Sequence, residues 1–258
     1  MQGSGTQVNK KLFKRSLFVR TCSFEVVYVH FLSFNDIKRM ALTTTTGMIT
    51  AMDAQDLQTR CFTGGMAQTN GYLLKTANES QTCLLIDAPL GISEWLDRLG
   101  EQPTDLLLTH QHYDHIEDVA KLVAKGIQVH AYAQYSAELT LEKLLLESGI
   151  AIKIEPYLVN HLLEGESQLE AGGLHFELQH VPGHSTDSVV FIHGELVFGG
   201  DTLFAGGIGR ADLPGGDMEL LLRGISNKML TLPAEARVFP GHGPETTIGE
   251  QKATNPFL

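Results

Sequence analysis

The apolar run Leu106-Leu107-Leu108 ends in the motif THQHYDH at residues 109–115, and this junction constrains the fold more than any other feature. The short run predicts a buried strand, and residues 118–125 predict a helix that Gly126 closes. Three imidazoles and one carboxylate thus lie in a strand-to-helix turn, where alternate side chains point to different centres. Imidazole nitrogen and carboxylate oxygen are ligands that zinc and similar dications bind well. The motif therefore predicts a metal site at the end of a buried strand.

Three other polar clusters each follow an apolar run later in the chain. His184 ends the motif PGH, Asp201 ends the motif GGD, and His242 lies between two glycines. Loops at strand ends are places where a rigid sheet presents converging ligands, and glycine lets such a loop turn a ligand inward. These side chains are more numerous than one ion requires. We therefore predict two divalent metal ions on seven ligands: His110, His112, Asp114, His115, His184, Asp201 and His242.

The other histidines lie in no such cluster, and we interpret them as ordinary surface or core residues: His30, His130, His161, His175, His180 and His193. From Cys61 onward, short strand-like runs alternate with helical stretches, without an internal repeat or a long linker. This alternation predicts one compact α/β domain. Besides 118–125, the predicted helices are 91–99, 133–147 and 217–230, and the predicted strands are 71–74, 82–87, 104–109, 127–131, 174–180, 188–193, 196–198 and 236–239.

Charge and cysteine content limit the classes of partner. The 258 residues carry a formal net charge of −11, and residues 41–258 alone carry −16 because residues 1–40 contribute +5. An acidic body of this kind repels nucleic acid and anionic membranes. The three cysteines form no CxxC pair, and the most apolar run, residues 24–34, is too short to span a bilayer. We therefore expect a soluble cytoplasmic protein with a small-molecule substrate and no nucleic-acid or membrane partner; the sequence leaves its oligomeric state open.

Residues 1–47 differ from the rest because they are basic and poor in acidic residues, while the apolar periodicity begins only near Leu57. A targeting peptide is one interpretation, but residues 24–34 make a poor signal-peptide core and no small-residue cleavage site follows them. We favour an N-terminal extension that is unstructured, or a start assigned too early, with Met40 or Met48 as the true initiator.

The motif THQHYDH, with PGHS at 182–185, GGDTLF at 199–204 and PGHG at 240–243, resembles the metallo-β-lactamase superfamily, and within it the single-domain relatives of glyoxalase II. The resemblance covers about residues 55–258, which it makes the hydrolase domain. It implies a four-layer αββα sandwich with two metals at one edge between the sheets. It places one metal on His110, His112 and His184, a second on Asp114, His115 and His242, and Asp201 as the bridge between them.

The same resemblance implies a reaction. A hydroxide that bridges the metals, available because they lower the pKa of water towards about 7, would cleave a thioester, and Asp114 would help to orient it. Glyoxalase II acts on glutathione thioesters such as S-lactoylglutathione and holds the glutathione carboxylate with a basic residue after the glycine-rich turn. Arg210 occupies that position, although it also fits a surface residue paired with Asp212. Ser185 is interpreted as a turn residue, since no serine triad is visible.

Several alternatives follow from departures and near relatives. Glyoxalase II continues into a helical domain that completes its glutathione site, whereas this sequence ends 16 residues after His242, so another thioester is an alternative substrate. Persulfide dioxygenases resemble the same sandwich, share the GRxD turn seen at 209–212, and use one iron to oxidise glutathione persulfide. A β-lactamase would be exported and lack Asp201, and a nuclease would need a basic groove. Zinc is the expected metal, although the ligands also suit iron and manganese.

Overall fold

The apolar runs become strands that are buried on both faces, which is the arrangement expected where helices cover both sides of a sheet pair. The computed structural model describes residues 57–76 and 83–258; the predictions for residues 1–47 lie outside them. Successive side chains of a strand point to opposite faces. In the run 106–108, Leu107 therefore packs between the two sheets, whereas Leu106 and Leu108 pack against helices.

The first sheet contains β1 (Leu57–Gly64), β2 (Thr69–Thr76), β3 (Cys83–Ile86), β4 (Asp105–Leu107), β5 (Gln128–Ala131) and β6 (His161–Leu162). The six strands are neighbours in sequence order. The first three are antiparallel, and β3 to β6 are parallel. The connections between the parallel strands contain four helices: α1 (Ile92–Leu99), α2 (Tyr113–Ile116), α3 (Val119–Ala124) and α4 (Glu142–Glu147).

The second sheet contains β7 (Gln168–Ala171), β8 (Leu174–His180), β9 (Val189–His193), β10 (Leu196–Gly200), β13 (Arg237–Pro240) and β14 (Thr246–Thr247). Its order is β14-β13-β10-β9-β8-β7, and only β10 and β13 are parallel. The remaining elements are the small hairpin of β11 (Leu203–Phe204) and β12 (Gly207–Ile208), helix α5 (Met218–Gly224) with its π-helical continuation Ile225–Met229, and α6 (Ile248–Thr254).

Three apolar clusters show how the layers stack. The central cluster contains side chains from both sheets, such as Leu84 and Phe191. A second cluster lies where the first sheet meets α1 and α3, and a third where the second sheet meets α5 and α6. The order helix, sheet, sheet, helix confirms the predicted four-layer αββα sandwich. Within residues 57–76 and 83–258, no helix is long and apolar enough to cross a membrane.

The predicted helix over 133–147 was wrong for its first nine residues. Only Glu142–Glu147 is helical, because Leu141 has φ 63° and ψ 10°, a left-handed conformation that interrupts a helix. Two side chains also compete for the backbone: Ser136 Oγ accepts a hydrogen bond from Glu138 N, and Thr140 Oγ1 accepts one from Glu142 N. Residues 133–141 therefore form turns.

Candidate metal centre

The candidate ligands lie at one edge of the sandwich, at the ends of strands from both sheets. The motif 109–115 follows β4 of the first sheet, while His184, Asp201 and His242 follow β8, β10 and β13 of the second. All are buried except His242, whose side chain is 28% exposed. The structure therefore brings together all seven predicted side chains, and none of the other histidines that it describes belongs to the group.

The donor atoms form groups whose members lie within 4.8 Å of one another. One group contains His110, His112 and His184, and another contains Asp114, His115 and His242. Asp201 faces both groups: its Oδ2 lies 3.4 Å from His184 Nε2 and 3.3 Å from His242 Nε2. We call these the imidazole group and the mixed group. Their shared carboxylate is suited to bridging two ions.

Several of these atoms are buried without a hydrogen-bond partner. They are His110 Nε2, His115 Nε2, His184 Nε2 and Asp201 Oδ1. Buried polar atoms almost always have a partner, because leaving one unsatisfied costs about 1–3 kcal/mol. These ring nitrogens and this carboxylate oxygen converge but form no hydrogen bonds with one another. Such an arrangement fits coordination to divalent ions. The donor set therefore fits a two-metal site.

Hydrogen bonds from outside the donor groups orient three of the ligands. His115 Nδ1 lies 2.8 Å from Asp87 Oδ2, and His184 Nδ1 donates to the Arg210 carbonyl at 2.7 Å. These oxygens accept, so each Nδ1 carries a proton and each Nε2 is the nitrogen that faces a metal. Thr69 Oγ1 donates to Asp114 Oδ2 at 2.6 Å. These contacts determine where the ligand atoms point.

Asp87 is a site residue that sequence reasoning missed. Its carboxylate also accepts hydrogen bonds from Thr109 N at 2.8 Å and Thr109 Oγ1 at 2.7 Å, so it holds the start of the histidine motif as well as His115. It adopts φ 55°, a left-handed conformation that aspartate tolerates better than most residues. The available signal was its position directly after the buried run of β3, the placement shared by the metal ligands.

Two imidazoles of the first group, those of His110 and His112, are held neutral. Burial is the main cause that lowers the pKa of His112 to about 3, and His184 adds to the effect. Burial and the neighbouring imidazole of His115 place the pKa of His110 well below its usual range. A neutral imidazole has a free lone pair, so these two side chains are ready to bind a metal near pH 7.

The carboxylates and histidines of the mixed group stabilise each other's charges. Burial opposes the charge of Asp114, but His115 and a hydrogen bond from His242 outweigh it and bring the pKa to about 2. Burial likewise opposes the charge of His242, yet its hydrogen bonds to Asp114 and Asp201 raise the pKa to about 10. Burial also acts against charge on His115, but Asp114, Asp87 and Asp201 raise its pKa well above the usual range. Without a metal, this group holds protons.

Two glycines are required by the close approach of the loops. A Cβ atom at Gly241 would overlap Asp201 Oδ1 and the ring of His115. Gly183 has φ 131°, and a Cβ atom there would overlap the backbone of Asp217 and Leu221. A side chain at either position would displace a candidate ligand next to it.

The β1–β2 hairpin holds the His242 loop, a role that the sequence did not reveal. Asn70 N donates to the Gly241 carbonyl at 2.7 Å, and Asn70 Nδ2 donates to the carbonyl of Gly243 at 2.9 Å. Tyr72 OH donates to the Pro240 carbonyl at 2.6 Å. The hairpin thus connects the two sheets at the metal edge.

The side chain of Arg210 lies in an exposed ion pair. Its Nε and Nη2 donate to the two oxygens of Asp212 at 2.7 and 2.8 Å, and 62% of the side chain is exposed. The hydrogen bond from Arg210 lowers the pKa of Asp212 to about 2. Ser185 is buried and donates to Asp187 Oδ1 at 2.5 Å, as a turn residue would.

Comparison with known proteins identifies relatives that share this architecture. A family model described as "Metallo-beta-lactamase superfamily" matches residues 64–242. The probable metallo-hydrolase YqgX of Bacillus subtilis (strain 168) is 38% identical over 204 residues, which cover 75% of this chain and 94% of the relative. The hydroxyacylglutathione hydrolase GloC of Haemophilus influenzae is 37% identical over 164 residues, which cover 59% of this chain and 74% of the relative.

Solved structures give the same picture. The crystal structure of the B3 metallo-beta-lactamase BLEG-1 has a TM-score of 0.70 and 36% identity, and the match covers 78% of this chain and 99% of that one. The crystal structure of TTHA1623 in a di-iron-bound form has a TM-score of 0.65 and 37% identity, with coverage of 77% and 100%. The similarity therefore extends over nearly the whole of both solved chains.

Proposed function

This chain belongs to the metallo-beta-lactamase superfamily of metal-dependent hydrolases, and from this premise we propose that it hydrolyses a thioester at a site for two divalent ions. The proposed substrate is a glutathione thioester such as S-lactoylglutathione. The observation that carries the proposal is the pair of donor groups that share Asp201, with four buried donor atoms that lack hydrogen-bond partners. Divalent ions in such a site supply Lewis acidity and lower the pKa of water towards about 7.

We assign the imidazole group to one ion, the mixed group to the other, and Asp201 to both. Asp87 orients His115, and the Arg210 carbonyl orients His184, so that each Nε2 faces the site. Asp114 is ionised near neutral pH because its pKa is about 2. We propose that its carboxylate accepts a hydrogen bond from the attacking water and so orients the water oxygen towards the substrate carbonyl.

Two relatives support the substrate and the metal. GloC carries the name hydroxyacylglutathione hydrolase, and we transfer that thioester class to this chain as a proposal. TTHA1623 was crystallised in a di-iron-bound form, which supports two metals and makes iron a competitor of zinc. We propose zinc as the resident metal because histidine nitrogens and carboxylate oxygens are common ligands of catalytic zinc.

The test combines metal analysis with kinetics. Protein purified without chelator should hold about two metal ions per chain and release thiol from S-lactoylglutathione, because the donor set provides for two ions. His112→Ala should lose the ion of the imidazole group and nearly all activity. His175→Ala is the matched control, since His175 is an exposed histidine paired with Glu170 outside the site.

Two other results would reject the proposal. One iron per chain, with oxygen uptake on glutathione persulfide and no thiol release from thioesters, would identify a persulfide dioxygenase. Hydrolysis of a chromogenic cephalosporin without hydrolysis of any thioester would identify a β-lactamase. The cephalosporin is tested because of the similarity to BLEG-1.

We propose the cytosol as the location of this activity. Cys61 is exposed, Cys83 is buried, and both are free thiols. Free thiols are usual in a reducing compartment, where glutathione is also kept in its thiol form. Fractionation of cells that express the protein would check this assignment, and recovery in an exported fraction would contradict it.

A further inference from the structure

The segment 133–147 is hydrogen-bonded directly to the loop that contains the candidate metal ligands. Gln111 Nε2 donates to the carbonyl of Ala133 at 3.0 Å, and Tyr113 N donates to the carbonyl of Thr140 at 3.0 Å. Residues 111 and 113 alternate along the chain with His112 and Asp114. The side chains of His112 and Asp114 lie in the donor groups, while the Gln111 side chain and the Tyr113 backbone hold the segment 133–147 beside them.

This segment forms one side of a cavity that opens onto the candidate metal centre. The cavity has a volume of ≈ 670 Å³, within the range of small-molecule binding sites. The candidate ligand His112 lines it, as do Ser185, Pro214 and Gly215. A substrate with its reacting carbonyl at the metals can therefore extend its other end into this space.

The cavity contains one cationic side chain, that of Lys143, which is exposed. Within the described part of the chain, no carboxylate lies within 4.0 Å of its Nζ atom. Arg210 differs, because both oxygens of Asp212 already occupy its guanidinium. Lys143 is thus the cation that is available to an anionic group of a ligand in this cavity.

The backbone before Lys143 is held in an unfavourable conformation. Leu141 has φ 63°, which is disfavoured for a bulky residue, and it lines the cavity. Its neighbour Glu142 is anchored, since Glu142 Oε1 accepts a hydrogen bond from Ile154 N at 2.6 Å. Such strained positions occur at ligand-binding segments, where the surrounding structure maintains them. The surrounding bonds therefore fix the point from which Lys143 projects.

We propose that Lys143 determines substrate specificity by binding a carboxylate on the thiol half of the thioester. Glu138 and Glu147 line the same cavity, and their charges would repel a thiol that carries several phosphate groups. The favoured class is therefore a thioester of a carboxylate-bearing peptide thiol rather than of a phosphorylated one. This inference rests on the proposed function and adds a recognition residue to it.

The experiment compares Lys143→Gln with wild-type holoenzyme. KM for S-lactoylglutathione should rise about 5- to 10-fold, because one charge-assisted hydrogen bond is lost, while kcat and metal content stay unchanged. A thioester of N-acetylcysteamine, which has no charge, should be cleaved equally by both proteins. The Kd of S-methylglutathione, a thioether that is not hydrolysed, should rise by the same factor in calorimetry. Lys153→Gln is the control, since Lys153 is exposed and paired with Glu155.

Two results would overturn the inference. The first is an equal effect of Lys143→Gln on the charged and the uncharged thioester. The second is a rise in KM and Kd with Arg210→Gln but not with Lys143→Gln. Either result with an active wild-type enzyme leaves the proposed thioesterase intact. If the wild-type holoenzyme cleaves no thioester, the proposed function fails. In that case, an unchanged Kd of S-methylglutathione in Lys143→Gln would also reject the carboxylate site.

Discussion

The imidazole group and the mixed group share one edge of the sandwich, yet their electrostatics are opposite. In the imidazole group, burial lowers the pKa values of His110 and His112, to about 3 in His112. In the mixed group burial opposes charge on His242, but its hydrogen bonds to Asp114 and Asp201 outweigh burial and raise the pKa to about 10. The difference shows that two sites with similar ligand types can have different proton requirements for metal binding.

The largest expected effect comes from the residue that the two groups share. Asp201→Asn keeps the shape of the side chain but removes the negative charge from both groups, so kcat/KM should fall about 10³-fold, a loss of several kcal/mol. Metal analysis should show fewer than two ions per chain. Asp97→Asn is the control, because Asp97 forms an exposed pair with Lys125. Full metal content with unchanged kcat/KM would contradict the bridging role of Asp201.

Asp87→Asn should separate the two groups. Asp87 accepts the hydrogen bond of His115 Nδ1, and loss of such an outer partner reduces metal affinity about 10- to 100-fold. We expect this loss for one ion only, with the ion of the imidazole group as the internal control. A stepwise metal titration, monitored by calorimetry, measures the affinity for each ion. Equal weakening of both ions would show that Asp87 supports the whole edge instead.

The pH dependence of metal binding should also differ between the groups. His242 has a pKa of about 10, so it is protonated near pH 7, and an ion must displace that proton. Affinity for this ion should rise with pH, by up to about tenfold per unit for each proton displaced. His112, with a pKa of about 3, is already neutral and has no proton to lose, so affinity for the imidazole-group ion should depend less on pH between 6 and 8. Calorimetry in buffers of different ionisation enthalpy counts the protons released when each ion binds. Proton release on binding of the imidazole-group ion alone would contradict the assignment of the displaced proton to the mixed group.

The smallest effect is expected for Thr69→Val. This change removes the 2.6 Å hydrogen bond to Asp114 Oδ2 and nearly preserves the side-chain volume. One hydrogen bond contributes about 1 kcal/mol, so affinity for the mixed-group ion should fall about fivefold. Thr254→Val serves as the control, because Thr254 is exposed and its hydroxyl donates to the Glu250 carbonyl rather than to a candidate ligand. A change in the affinity for the imidazole-group ion alone would show that Thr69 does not act through the mixed group.

The interior of the fold could be predicted from the sequence, whereas its margins could not. The prediction for 174–180 matches β8, and those for β3, β9 and β13 differ by no more than one residue at either end. The predictions missed all four outermost strands of the two large sheets: β1, β6, β7 and β14. Most residues of β1 and β7 are exposed or half-buried, and β6 and β14 have only two residues each, so these strands lack the continuous apolar run that marks a buried strand.

The sequence by itself predicted the seven candidate ligands that the fold brings together. Four of the seven side chains lie within six residues, and the other three each follow an apolar run, so local pattern was sufficient to find them. Only the tertiary structure decided what surrounds them. Asp87 and Thr69 lie 28 and 45 residues from the ligands that they contact. Their roles depend on the packing of distant segments, which no local pattern records.

The same distinction applies to substrate recognition. Arg210 follows the glycine-rich turn in the sequence, but the fold places its guanidinium against Asp212. Lys143 has no distinctive sequence context, and it lines the cavity because left-handed Leu141 ends the turns before α4. Residue type and spacing determine which chemistry is possible. The tertiary structure determines which charges are already paired and which face the substrate, because pairing depends on distances between segments that are remote in sequence.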